Sequence, residues 1–155
     1  MHERRDRSTH DPFELERFVA AQSATFATAT DELRAGRKRS HWMWFVFPQC
    51  AGLGHSATAQ RYAIRSLDEA RAYLAHSVLG ARLVECTRIV NAIDGLSARR
   101  IFAAPDDLKF QSSMTLFECA SQPGSVFAAA LDTYFAGTRD AQTLRWLDAP
   151  RSGCR

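Results

Sequence analysis

Residues 40–56 read SHWMWFVFPQCAGLGHS, and the six consecutive apolar side chains Trp42 to Phe47, four of them aromatic, must find cover in any fold the chain adopts. Burying a Phe- or Met-sized side chain is worth roughly 1.5–3 kcal/mol, so this run is expected to anchor the core. Pro48 ends it, and Gly52 and Gly54 then bracket a single leucine ahead of His55 and Ser56. A large apolar anchor therefore feeds into a glycine-rich turn lined by polar side chains. The run is too short to classify by periodicity. A buried strand, an extended segment and one and a half turns of helix all fit it. No other stretch supplies a pairing strand, so the expectation is a buried, mostly irregular segment. Were it extended, Trp42 and Trp44 would face one way and Met43 the other.

With 155 residues the chain is expected to form one domain over 11–149, between a disordered tail at 1–10 and a short tail at 150–155. Residues 1–10, MHERRDRSTH, offer nothing to bury and lack the apolar stretch of a secretory signal. No apolar run approaches the ~20 residues that span a bilayer. The expectation is a cytoplasmic protein without a membrane partner. Cysteines at 50, 86, 119 and 154 form no close pair, which reads as free thiols in a reducing compartment. The net charge is +3, with Arg34, Arg37, Lys38 and Arg39 clustered just before the anchor. A nucleic-acid surface needs a broader basic face with exposed stacking aromatics, so a solvated basic turn is the reading adopted and nucleic acid is disfavoured as a partner.

Along the rest of the chain the periodicity is helical. Asp11, Pro12 and Glu14 approximate a capping box opening one long helix to Gly36, with threonines at 25, 28 and 30 weakening its middle. Ser56 caps a helix reaching Ile64 or Arg65, with Ala59, Tyr62 and Ala63 inward. Ser66-Leu67-Asp68-Glu69 opens the next helix. A break near His76 leads to a stripe of Leu79, Leu83, Cys86, Val90 and Ile93, closed by Gly95. Residues 97–105 read as a connector pinned by Ile101 and Phe102. Asp106 then caps a helix with Phe110, Met114 and Phe117 on one face and Lys109, Ser112 and Ser113 on another. Ser125 and Asp140 cap the last two helices. The sum is an all-α, compact single-domain bundle of six or seven helices enclosing the aromatic segment.

The blocks GRKRSHWMWFVFPQ (36–49), GLGHS (52–56), RYAIRSLDEARAYLAHSVLGARL (61–83) and DLKFQSSMTLF (107–117) resemble the bacterial family of unknown function numbered 1810, some members of which carry a calpastatin-like label. The resemblance runs from Asp11 to about Leu147. It implies a compact, mainly helical domain and carries no established activity or catalytic residues. The fragments Gln60-Arg61-Tyr62 and Lys109-Phe110-Gln111 are also similar to NADAR-type proteins, which act on or bind ADP-ribose-related molecules. Those proteins tend to have an acidic residue where this chain has Gln60, so the similarity bears on ligand class and not on glycosidase chemistry.

Three groups of residues could carry chemistry. Gly52-Leu53-Gly54-His55-Ser56 precedes a helix, and glycines let the backbone approach an anion that exposed N–H groups and the Ser56 hydroxyl would bind, with Arg61 a turn further on. The turn has neither the P-loop spacing nor the strand and acidic residue of a dinucleotide fingerprint, and tight packing after the anchor explains it equally well. Lys109, Ser112, Ser113 and Thr115 put a lysine and three hydroxyls near a helix start. They could bind phosphate or sugar oxygens, form a solvated face, or, with lysine activating serine, supply a nucleophile. His41 could pair with Asp107 or Glu118 for proton transfer, or simply bond a backbone carbonyl at the edge of the core. His41, Cys50 and His55 do not have zinc-ligand spacing. Gln49 and Tyr62 place polar tips near the glycine turn, and Trp42 and Trp44 could supply a stacking wall.

The candidate ligand-binding set is therefore His41, Trp42, Gln49, Gly52, Gly54, Ser56, Tyr62, Lys109, Ser112 and Ser113, with no metal, no cofactor and no catalytic residue assigned. The favoured function is binding, with processing as an extension, of a small anionic ligand such as a nucleotide or ADP-ribose derivative. It predicts that Gly54, Ser56, Lys109 and Ser113 line one cavity. The alternative is a non-catalytic interaction or regulatory module with an exposed apolar patch and no sizeable polar pocket.

Overall fold

A computed structural model describes residues 11–148; the tails expected at 1–10 and 150–155 lie outside the described residues. The described residues form α1 (Glu16–Ser23), α2 (Phe26–Arg34), α3 (Met43–Val46), α4 (Ala57–Arg61), α5 (Leu67–Ala75), α6 (Leu79–Asn91), α7 (Ala98–Phe102), α8 (Asp106–Cys119), α9 (Val126–Phe135) and α10 (Ala141–Leu147). They are all-α, with ten helices against the six or seven expected. The excess over seven is α3 and α7, pieces of four and five residues too short for a 3.6-residue period to register, and the division of the expected first helix in two. None of the described helices is long and apolar enough to cross a membrane.

Helix α8 is the axis, packed against α5, α7, α9 and α10, while α6 packs against α2, α5 and α9. Its central position explains why Ser112 to Phe117 are buried without interruption. The amphipathic reading of α8, with a solvated serine face, fails here. Ser112 Oγ donates to Leu108 O at 3.1 Å and Thr115 Oγ1 to Gln111 O at 2.8 Å, so both hydroxyls satisfy themselves on the preceding turn. Ser113 is fully buried.

The aromatic anchor is a single helical turn, not an irregular segment. Trp42, Met43, Val46 and Phe47 are buried, whereas Trp44 and Phe45 are half-buried. Residues two apart on a helix point roughly 200° from one another, so Trp42 and Trp44 diverge instead of sharing a face. Phe47 meets Phe110 edge-on at 5.1 Å and Phe102 at 5.9 Å, and Phe102 stacks on Phe110 at 4.6 Å. The anchor thereby joins α7 to α8 through aromatic contacts that add to simple burial.

The expected long first helix is two helices broken at Ala24–Thr25. Ser23 and Thr25 hydroxyls bond the Ala20 and Ala21 carbonyls, the local competition that weakens helices at such residues. The Asp11 carboxylate does accept Leu15 N at 2.8 Å and Glu16 N at 3.1 Å. Glu14, however, sits at φ +55°, so no capping box forms and α1 starts at Glu16. Arg17 then fastens this end: it pairs with the buried Glu69 at 2.7 Å and donates to the Arg61 and Ala63 carbonyls. Residues 97–105, read as a connector, contain α7, capped by Ser97, with Ile101 and Phe102 buried as expected.

Cys50 and Cys86 are buried free thiols, pushed up to about 12 chiefly by desolvation. Cys119 is disulfide-bonded, so the expectation of a free thiol fails there.

Candidate functional site

The basic turn before the anchor is ordered by one carboxylate. Glu32, in the last turns of α2, accepts Arg39 N at 2.8 Å, Ser40 N at 3.0 Å, Ser40 Oγ and Trp42 Nε1 at 2.9 Å. Desolvation alone would raise its pKa. The Ser40 hydroxyl, the two backbone N–H groups and the indole outweigh that and hold it at about 2. Lys38 is not solvated as the sequence reading had it. Its side chain is 7% exposed, lies 5.2 Å from the Trp42 ring and pairs with Asp106 Oδ2 at 2.8 Å.

Asp106 joins this turn to the candidate site. It is the first residue of α8 and not its cap, and its other oxygen lies 3.5 Å from Lys109 Nζ. Lys109 in turn sits 4.5 Å over the Trp44 ring. Two ammonium groups thus share one carboxylate, each against an indole.

Lys109 opens onto a cleft of about 450 Å³. One side is the loop between α3 and α4: Trp44, Gln49, Leu53, Gly54, His55 and Ser56 line it together with Ala59 of α4. The other comes from the start of α8, with Pro105, Leu108, Lys109 and Ser112, and from the start of α10, with Asp140 and Gln142. The loop is closed by a parallel bridge in which Ala51 N donates to Ile64 O at 2.8 Å and Ile64 N to Gln49 O at 2.9 Å. Because Ile64 is committed to that bridge, α4 ends at Arg61, short of the predicted 64 or 65. Gly54 is required by packing, since a Cβ there would lie 2.7 Å from Ala59 Cβ. Ser56 caps α4, its Oγ accepting Ala59 N at 3.0 Å, which leaves its O–H free to donate.

Of the ten candidate residues, Gln49, Gly54, Ser56, Lys109 and Ser112 line this cleft. The other five do not. Trp42 is buried beneath Lys38, and Tyr62 packs on Phe18 and Phe45. Gly52, at φ +92°, lines a smaller neighbouring cavity with Gln60. Ser113 is buried outside the lining, its Oγ without a hydrogen-bond partner. His41 is exposed and bonds neither Asp107 nor Glu118; the latter pairs with Arg139. The lysine-activated serine reading has no geometry behind it: Ser113 is inaccessible and Ser112 donates to its own helix. Among the described residues no cluster of three or more His, Cys, Asp or Glu could hold a metal.

Sequence reasoning passed over Leu108, Asp140 and Gln142 as site residues and named Leu53 only as part of the glycine turn. Asp140 was legible only as a cap, a role it fills by accepting Thr143 N at 2.9 Å and Thr143 Oγ1 at 2.6 Å. Leu108, 58% exposed beside Lys109, is the one local signal, a large apolar side chain left out of the core. The NADAR-like fragments separate: Lys109 lines the cleft, whereas Gln60, Arg61 and Tyr62 do not.

A crystal structure of the conserved hypothetical protein Rv1873 from Mycobacterium tuberculosis is similar to this chain, with 54% identity and a TM-score of 0.86 over 88% of this chain and 97% of that one. A comparison with curated proteins finds no match. The family model described as protein of unknown function (DUF1810) matches residues 12–147, and the chain belongs to that family.

Proposed function

We propose that the cleft between the glycine loop and the start of α8 binds a small anionic ligand, of the nucleotide or ADP-ribose class. The observation that supports this reading most is Lys109: its ammonium faces a cleft of about 450 Å³, while the carboxylate nearest it is shared with Lys38. Two cations against one anion, Asp106, leave positive charge at the Lys109 end of the cleft, and low-dielectric walls strengthen its pull on an anion there. The Ser56 hydroxyl and the half-buried indole of Trp44 add a donor and an aromatic wall. Asp140, at the α10 side of the lining, keeps its negative charge, because the Thr143 N–H and hydroxyl that it accepts from are neutral, so the anion is assigned to the Lys109 end.

The alternative, an interaction or regulatory module, calls for a contiguous apolar patch. The described residues leave only Leu108 and Leu144 as exposed large hydrophobic side chains, and Leu108 belongs to the cleft.

Thermal unfolding against phosphate, nucleotides, ADP-ribose and NAD tests the proposal. A ligand at 100 times its Kd stabilises a fold by ~2.7 kcal/mol, and Lys109→Ala should abolish the shift. Lys109 is the cleaner probe, because Ser56→Ala also removes a helix cap. No shift with any anion would overturn the reading.

A further inference from the structure

We infer that the ligand of this cleft is a phosphorylated sugar, bound through its anionic group at Lys109 and through its neutral hydroxyl-bearing body at the amides of Gln49 and Gln142. The inference rests on the anion-binding reading above and narrows it. A bare oxyanion would engage the Lys109 end alone, yet the cleft, at about 450 Å³, has room for about fifteen waters at the bulk volume of roughly 30 Å³ each. The ligand therefore needs a body as well as a charge.

The chemistry of that body follows from which groups in the cleft are unspent. Asp140 accepts from Thr143 through Oδ2 alone, which leaves Oδ1 as an acceptor for a ligand hydroxyl, and Ser112 donates to Leu108. Gln49 and Gln142 come from separate elements, the loop after α3 and the first turn of α10, and neither side chain hydrogen-bonds to another described residue. Each amide offers two N–H donors and a carbonyl acceptor, a neutral set complementary to hydroxyls, which both donate and accept. A purely apolar body would leave both amides desolvated without partners, at a cost. A multiply charged body would meet only the single lysine. Gln49 is also held in place, because its backbone carbonyl is the acceptor of the Ile64 bridge. Leu53 and Leu108 border the cleft as cover for the carbon face of a sugar ring.

A free sugar phosphate and a nucleoside monophosphate share this chemistry, so isothermal titration of the full chain should compare inorganic phosphate, ribose 5-phosphate and adenosine 5′-monophosphate. Ribose 5-phosphate should bind at least tenfold tighter than phosphate. Gln142→Ala, at an exposed position, should weaken the sugar phosphate about three- to tenfold and leave inorganic phosphate unchanged. Gln49→Leu should do the same, and Lys109→Ala should weaken both. A further gain with the nucleotide would identify the nucleoside form as the source; equal affinity would identify the free sugar phosphate. Phosphate and ribose 5-phosphate binding alike, or the glutamine variants weakening both equally, would overturn this inference and leave the anion site standing. Binding of none would overturn both.

Discussion

The indole Nε1 of Trp42 donates to Glu32 Oε1 at 2.9 Å, so the buried end of the aromatic anchor is tied to the same carboxylate that orders the basic turn. Glu32 is thus a hub for three successive structural elements: α2, the turn and the anchor. Its pKa of about 2 lies below the ordinary value of 4.5, because donors to the ionised form outweigh desolvation. For a depressed carboxyl, the extra stability is present above the unfolded-state pKa and is lost as pH falls through the folded one. Glu32→Gln should therefore cost on the order of 2 kcal/mol at neutral pH, in line with losing charge-assisted bonds. The gap between wild type and variant should shrink between pH 4.5 and about 2. Urea denaturation across that range checks it, and a gap independent of pH would show that the charge of Glu32 contributes nothing.

The two free thiols among the described residues provide a second check on the packing. Cys50 and Cys86 are buried and titrate at about 12, so the thiolate that reacts with disulfide reagents is scarce and shielded at neutral pH. Neither should react with a thiol reagent in the native protein at pH 8, and both should react in denaturant. Fast native labelling at either position would mean that the core opens there.

Gly80, in the first turn of α6, sits against the backbone of Leu74 in α5. A Cβ at this position would lie 2.0 Å from the Leu74 carbonyl oxygen, and a backbone atom cannot swing aside as a side chain can. Gly80→Ala should cost at least about 3 kcal/mol, the upper end of ordinary overpacking penalties. The contrast is Gly95→Ala, where φ is +77° but the space is open, so only the left-handed conformational penalty of about 1–2 kcal/mol applies. Comparable Tm losses for the two variants would count against the close helix contact.

How far the sequence carried the reading depended on whether the signal was local. Caps are local, and Ser56, Ser66, Ser125 and Asp140 all accept the backbone N–H three residues on, as their positions predicted. His76, read as a boundary, accepts the Val78 and Leu79 N–H groups at the entry to α6. Burial on every side is not local. Ser112, Ser113 and Thr115 look like a polar face until α8 is known to be surrounded, and intrahelical hydroxyl bonds let Ser112 and Thr115 enter the interior. The cleft was half legible for the same reason. Gly54, Ser56 and Lys109 stand out in sequence, whereas Gln142 joins them only because α10 packs on α8. Trp42 and Trp44 were separable only once the anchor was known to be a helical turn.

Gly54 tests whether the loop's shape and the cleft depend on one contact. Adding a Cβ there would bring it 2.7 Å from Ala59 Cβ, so the loop and α4 must part, and both line the cleft. Gly54→Ala should destabilise the protein by about 1–3 kcal/mol, as overpacking does, and weaken any cleft ligand along with it. Gly54 does not sit at positive φ, so the cost is steric and not conformational. The partner substitution Ala59→Gly removes the opposing methyl, and the double variant should recover most of the lost binding. Its stability should return only in part, because glycine within a helix costs about 0.5–1 kcal/mol relative to alanine. Equilibrium unfolding and ligand titration on the two single variants and the double close the cycle. Additive losses in the double variant would place the requirement for glycine somewhere other than the Ala59 contact.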